Sequence, residues 1–180
     1  MDGNGHWVGT WTASPAPSEA GVTINDQTLR MLPRVSLGGD RLRVRISNAY
    51  GRGNLAIGAA SIALRDKGPA IVEGSARTVA FGGAASVTIA AGAVATSDTV
   101  ALEAPALADL AVSLHPPGES APAFQITGRY ARQTNYISPP GNYAADIVMP
   151  VGKITDEWFF LCGSPVCCLN LIAEKRRGDF

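Results

Sequence analysis

The chain has 180 residues, of which 46% are hydrophobic and 17% are charged, and it contains 20 glycines and 12 prolines. This length and composition suit one globular, turn-rich domain with a buried core, and they exclude a disordered chain. The 15 basic and 15 acidic residues balance, so the composition gives no electrostatic reason to expect nucleic acid or an anionic membrane as a partner.

The first residues, M-D-G-N-G-H-W, contain neither the basic nor the apolar segment of a secretory signal, so we expect no signal peptide in this sequence. No apolar run reaches the roughly 18 residues that a membrane span needs, so no span is expected either. Residues 7–13 alternate bulky and small side chains. This pattern predicts a first strand with Trp7 and Trp11 on one face.

Residues 30–51 have the alternation of an antiparallel β-hairpin. A two-residue turn at 38–39 or 39–40 would bring six apolar residues to one face: Met31, Val35, Leu37, Leu42, Val44 and Ile46. The opposite face would be exposed to water and would carry five polar residues: Arg34, Ser36, Arg41, Arg43 and Arg45. Because Pro33 cannot donate a ladder hydrogen bond, that end of the first strand is expected at a sheet edge or a bulge.

Short apolar segments separated by Gly, Pro and Asp turns continue to residue 137. They predict strands over 55–65, 71–72, 99–102, 110–115, 124–127 and 131–137, and a second hairpin formed by 77–81 and 86–90. No helical periodicity of useful length is present. We therefore expect an all-β fold, an antiparallel β-sandwich of jelly-roll-like type over residues 1–157, followed by a short irregular tail over 158–180.

The sequence offers little for catalysis or metal binding. It has no G-x-S-x-G motif, and its two histidines, His6 and His115, have no H-x-x-x-H, C-x-x-C or acidic cluster to complete a metal site. The three cysteines, Cys162, Cys167 and Cys168, all lie in the tail, so no disulfide framework is expected in the main body. We predict no catalytic residue, no metal ligand and no cofactor in this chain.

Six segments, taken together and in this order, resemble the N-terminal region of bacterial SGNH hydrolases, the GDSL lipase and esterase family. They are W-V-G-T-W-T-A-S-P-A-P at 7–17, Q-T-L-R at 27–30, R-V-S-L-G-G-D-R-L-R-V-R-I-S-N-A-Y-G at 34–51, I-G-A-A-S-I-A-L at 57–64, L-A-D-L-A-V-S-L at 107–114 and Q-T-N-Y-I-S-P-P-G-N at 133–142. The similarity covers about residues 7–161.

The resemblance implies a β-sandwich that precedes a three-layer α/β hydrolase domain, in which the Gly-Asp-Ser nucleophile, the oxyanion residues and the Asp-x-x-His base all lie. None of these blocks occurs here, and the late Gly178-Asp179 is followed by Phe180. We therefore expect a non-catalytic accessory domain over 1–157 that is inactive alone, whose partner is the missing hydrolase domain. Residues 158–180 would be its truncated or frame-shifted start. The family resemblance implies an extracellular or periplasmic location.

An accessory domain separated from its enzyme should expose an apolar or aromatic patch where the hydrolase domain packed. The expected patch comprises residues 130–137 and 158–161, and the expected binding residues are Asn48, Tyr50, Gln133, Asn135 and Tyr136, at the domain interface or cleft rim. Asn48 could instead cap a turn, and Tyr50 could pack in the core.

Two other hypotheses remain open at this point. A carbohydrate-binding module would take a glycan as partner and would present two or more coplanar, exposed aromatic rings. A small intact esterase would use an unrecognised serine together with His115.

Overall fold

Strands provide the regular structure of this computed structural model, which describes residues 6–13, 17, 23–120, 133–160, 163–164, 167–168 and 171–175; within them no helix occurs. The strands are β1 His6–Trp11, β2 Ile24–Asn25, β3 Gln27–Met31, β4 Gly39–Arg43, β5 Arg45–Ser47, β6 Leu55–Ile57, β7 Ala59–Leu64, β8 Arg77–Thr78, β9 Val87–Ile89, β10 Val94–Thr96, β11 Val100–Ala104, β12 Leu110–His115, β13 Glu119–Ser120, β14 Asn135–Pro140, β15 Lys153–Thr155, β16 Gly163–Ser164, β17 Cys167–Cys168 and β18 Leu171–Lys175.

Two larger sheets dominate the fold. One has six strands in the order β15-β14-β3-β12-β7-β8, and the other has four in the order β1-β18-β4-β11. Four two-stranded sheets complete the described part, pairing β10 with β5, β13 with β2, β16 with β17 and β6 with β9. The strand pairs within them are antiparallel. Strand β12 lies between β3 and β7, and all six of its residues are buried.

One apolar core joins the two larger sheets. Fully buried Leu29, Ile62 and Leu114 come from the six-stranded sheet, and Leu42 comes from the four-stranded one. Strand β11 shows the half-buried pattern that produces such a layer, because Val100, Leu102 and Ala104 are buried while the residues between them are exposed. The fold is therefore an all-β antiparallel sandwich. The finer jelly-roll assignment stays a prediction.

The predicted hairpin over 30–51 is wrong in its pairing. Of the six apolar residues that it placed inside, five are fully buried, and Leu37 is only partly buried. Strand β3 lies in the six-stranded sheet and β4 lies in the four-stranded sheet, so residues 32–38 cross from one layer to the other. The five buried members point inward in both layers because both layers face the same core. Pro33 lies beyond the end of β3, which is an inner strand and not an edge.

The second predicted hairpin is also wrong. Strand β8 pairs with β7, and β9 pairs with β6. The predicted tight turn between them does form, since Gly82 and Gly83 both have positive φ and an isolated bridge joins Phe81 to Ala84. The segment expected as a strand over 124–127 lies outside the described residues.

Trp7 and Trp11 do not share a face as predicted. The register of β1 shifts between Gly9 and Trp11, which turns Trp11 toward the core. Trp11 packs there against Trp158, with ring centroids 4.6 Å apart, and Trp7 lies against Arg43. This irregularity is not visible in the alternation of the sequence.

A second buried layer covers the outer face of the six-stranded sheet. Residues 141–152, which we call the strap, cross that face between β14 and β15. Arg30 is buried beneath the strap. Met149 of the strap is buried there in an apolar cluster with Leu32, Ala63, Ile71, Ala111 and Tyr136. The outer face was expected to be exposed to water, but at β3 it is enclosed.

Candidate functional site

Asn48 is a structural turn residue. It is buried, and its side-chain amide donates to the carbonyl oxygens of Gly53 at 2.8 Å and Ile89 at 2.9 Å. Its own carbonyl accepts from the N–H groups of Gly51 and Gly92. A Cβ on Gly51 would fall 1.9 Å from Asn48 Oδ1, so this turn closes tightly around the amide. These contacts agree with the alternative, in which Asn48 caps a turn.

Tyr50 lies on the same turn but projects outward. Its side chain is 48% exposed, so it does not pack in the core. It is an aromatic surface residue next to a rigid turn.

The second predicted group, in and just before β14, also holds the fold together. Asn135 is buried, accepts from the Leu32 N–H at 2.9 Å and donates to the Glu157 carbonyl at 2.8 Å. Tyr136 is buried in the cluster under the strap. Gln133, which precedes the strand, is partly exposed.

The predicted binding residues do not share one site in the described part of the chain. Asn48 follows β5 of a two-stranded sheet, whereas Asn135 and Tyr136 lie in β14 of the six-stranded sheet. The hydrogen-bond partners of Asn48 and Asn135 are different. Their polar side chains satisfy buried backbone groups, which is the common use of buried asparagine.

The apolar and aromatic residues that were expected to form an exposed patch are buried where the structure describes them. Trp158, Phe159 and Phe160 are each 4% exposed or less and belong to the main core, together with residues that precede 157. Tyr136 and Ile137 are buried as well, and residues 130–132 and 161 lie outside the described part. The aromatic segment at 158–160 therefore stabilises the sandwich. The division of the chain after residue 157 stays a prediction.

Exposed apolar side chains collect around the strap instead. We call this set the strap surface, and its members are Val72, Ile147, Val148, Val151 and Ile154. The Ile71 N–H donates to the Ile147 carbonyl, and an isolated bridge joins Ala70 to Val148, so the first three lie on adjoining segments. Ile154 lies on β15, the last strand of the six-stranded sheet. Large exposed apolar groups on adjoining segments are typical of an interaction surface.

Among the residues that the structure describes, His115 and Asp26 come closest to a catalytic pair, and the sequence did not predict their contact. Nε2 of the buried imidazole lies 3.2 Å from Oδ1 of Asp26, although the two groups are not aligned as a hydrogen bond. Asp26 has a positive φ of 51°, and its N–H donates to Gly118 O at 2.7 Å. It thus fixes the junction of β2 and β3. The two residues are far apart in sequence, and no local motif marks their contact.

Nucleophilic catalysis requires a hydroxyl or thiol within reach of the base. Within the described residues no serine is hydrogen-bonded to His115, so the esterase hypothesis receives no support from this contact. The same residues contain no group of three or more His, Cys, Asp or Glu side chains that could hold a metal ion.

An open groove of about 420 Å³ lies beside β8 and β11. Its charged lining residues are Glu73, Arg77 and Glu103. The guanidinium of Arg77 donates to the carbonyl oxygens of Gly74, Ala76 and Ala101, so this cation is already engaged by the backbone.

Tyr50 is the one aromatic residue of the described part that is more than about a third exposed. The described aromatics therefore lack the pair of exposed, coplanar rings that a glycan platform needs.

No described helix has both the length and the apolar character that crossing a bilayer requires.

No protein-family model matches the chain, and no curated protein matches it.

Proposed function

We propose that this chain is the non-catalytic N-terminal accessory domain of an SGNH-type ester hydrolase, and that it packs on the hydrolase domain through the strap surface. The observation that carries the proposal is the strap surface, a set of five exposed apolar side chains. The hydrolase domain is proposed as the partner because the sequence motifs at 7–17, 34–51 and 133–142 resemble the region preceding the α/β domain in that family.

The position of the strap surface in the chain supports this occupant. Ile154 precedes Phe160 by six residues, which is at most about 20 Å of extended chain. In the resembled family the hydrolase domain follows this point. A domain attached there would be held close to the strap surface, and burial of Val148 and Ile154 would remove two of the most exposed apolar side chains from water, at 66% and 63% exposure.

The proposal is tested by binding in trans. The probe is the isolated α/β domain of a bacterial SGNH hydrolase whose own N-terminal region carries the same motifs, titrated calorimetrically with the purified chain. We expect the double variant Val148→Asp/Ile154→Asp to bind at least tenfold more weakly than the wild-type chain, because each aspartate would have to be desolvated in the interface.

The matched control is Leu107→Asp. Leu107 is 59% exposed but lies on the loop between β11 and β12, so this variant should bind like the wild type. No binding by the wild-type chain, or equal binding by the double variant, would contradict the proposal. In a parallel assay the chain alone should not hydrolyse p-nitrophenyl acetate. Hydrolysis that is lost in His115→Ala would favour the small-esterase alternative.

A further inference from the structure

The four-stranded sheet contains a strand from the far end of the chain. Strand β18 lies between β1 and β4 and is antiparallel to both. Val8 and Leu42 are the partners of Ala173 on its two sides, and Gly9 and Arg43 are the partners of Ile172. Because both neighbours are antiparallel to β18, β1 and β4 run parallel to each other. The space between them, which we call the strand slot, takes one extended segment.

Each wall of the strand slot is held by contacts that do not involve β18. On β1, the Thr10 carbonyl accepts from the Ser36 N–H at 2.8 Å, and Thr10 Oγ1 accepts from the Leu37 N–H at 2.8 Å. On the other side, β4 pairs with β11 through Leu42 and Val100. Each wall therefore has contacts with the rest of the sandwich that do not depend on β18.

A side-chain contact also joins the two walls directly. The guanidinium carbon of Arg43, on β4, lies 4.3 Å from the ring centroid of Trp7, on β1. This distance is typical of a cation–π interaction. The contact reaches across the strand slot and links the two walls by side chains that do not belong to β18.

The occupant is joined to the sandwich by a long connection. Ten residues separate Phe160, in the main core, from Leu171, where β18 begins. An inner strand can be replaced by another extended segment that forms the same backbone ladder, which is the basis of strand exchange.

We propose that the strand slot is a peptide-binding site of the strand-addition type, and that residues 171–175 of this chain are its resident and exchangeable occupant. The ligand is an extended peptide that runs antiparallel to β1 and β4. It needs an apolar residue at the position between Val8 and Leu42, because Leu42 is fully buried there. The main-chain groups of both walls supply most of the binding, and this one position supplies specificity.

The first experiment uses the full chain with the substitution Ala173→Pro. A proline cannot donate to the ladder and is not accommodated in an inner strand, so the resident segment should leave the strand slot. The probe is a fluorescein-labelled synthetic peptide with the sequence of residues 169–177, and binding is measured by fluorescence anisotropy. We expect it to bind Ala173→Pro at least tenfold more tightly than the wild-type chain, whose slot is filled.

A peptide that carries proline in place of Ala173 is the matched control and should not bind. Equal binding of the peptide to both chains, or equal binding of both peptides, would overturn the proposal. The peptide carries none of the strap surface, so this result is independent of any binding to a hydrolase domain.

A second measurement applies if Ala173→Pro fails to fold. Hydrogen exchange of the wild-type chain should show protected amides in β1, β4 and β18, and an excess of the unlabelled peptide should accelerate exchange in β18 alone. Unprotected amides at residues 172 and 173, or no change when the peptide is added, would overturn the proposal equally.

Discussion

Both faces of the six-stranded sheet are buried, but the interactions that stabilise them differ. The inner face carries Leu29, Met31 and Val112, and it is covered by the apolar side chains of the opposite sheet. The outer face carries Arg30 and Ser113 beside a smaller apolar cluster, and it is covered by the strap. Removal of apolar area stabilises the first face, whereas on the second face directional hydrogen bonds to the strap act together with the smaller apolar cluster.

Arg30 shows how the outer face is organised. Its guanidinium donates to Ser113 Oγ at 2.8 Å and to the carbonyl oxygens of Pro69 at 2.7 Å, Asp146 at 2.9 Å and Tyr143 at 3.2 Å. One cation thus ties β3 to β12, to the 66–70 turn and to the strap. Thr28 and Ser61 add hydrogen bonds to the carbonyl oxygens of Gly141 and Ala144. The strap is held by polar groups that a purely apolar sheet face would not offer.

The largest effect is expected from Arg30→Met, which keeps much of the side-chain length but removes every donor. Several buried acceptors would then be unsatisfied, and at roughly 1–3 kcal/mol each we expect the free energy of unfolding to fall by about 3–5 kcal/mol. Urea unfolding followed by tryptophan fluorescence measures this change. Arg34→Met is the control, because the Arg34 side chain is 61% exposed and should matter little. A loss below about 1 kcal/mol would show that the strap does not depend on Arg30.

On the inner face, the free energy of unfolding should depend on side-chain volume and not on hydrogen-bond donors. Leu29→Ala opens a cavity in the main core and should cost about 3 kcal/mol, whereas Leu29→Met conserves volume and should cost less than about 1.5 kcal/mol. On the outer face the conservative change Arg30→Lys should still be costly, because an ammonium cannot reproduce the fork of the guanidinium. The same urea titrations compare the three variants. If Arg30→Lys were tolerated as well as Leu29→Met, the distinction between the two faces would fail.

The sequence predicted the inner face well because alternation is a local property. Val44 and Leu102 lie inside for the reason that the pattern gives, and the all-β class followed from the spacing of turn residues. Alternation does not identify the partner of a strand, so the crossing of residues 32–38 from one sheet to the other could not be read from it. The burial of Arg30 could not be predicted from the sequence either, because it depends on a strap more than a hundred residues later in the chain.

The candidate surfaces were harder to predict than the fold. Asn48 was selected as a polar residue at a strand end and Asn135 as part of the expected patch at 130–137, but polarity alone does not distinguish a binding group from one that satisfies the backbone. The strap surface was missed because residues 141–152 have neither strand nor helix periodicity. The pairing of β18 with β1 and β4 joins the two ends of the chain, and no pattern within either end indicates it.

Asn135→Ala tests whether a residue selected for binding belongs instead to the fold. The substitution leaves the Leu32 N–H and the Glu157 carbonyl without their partner, so the free energy of unfolding should fall by about 2 kcal/mol. Gln133→Ala, in the same segment but partly exposed, should change it by less than about 0.5 kcal/mol. Thermal and urea unfolding give both values. Equal effects of the two substitutions would mean that the contacts of Asn135 do not stabilise β14.

The smallest effect is expected on the pH dependence of the stability that Arg30 contributes to the outer face. Burial lowers the pKa of Arg30 from its ordinary value to about 10, against the opposing effect of Asp146. A group whose pKa is lower in the folded state gives a stability contribution that is present above its unfolded pKa and is lost as the pH falls through its folded pKa. From about pH 6 to 9, Arg30 is protonated in both states, so the stability difference between the wild type and Arg30→Met should stay constant. Urea titrations at several pH values in that range measure it, with Arg34→Met as control. A drift of more than about 1 kcal/mol would mean that a group titrating near neutrality, and not the guanidinium with its neutral acceptors, sets the energy of the strap.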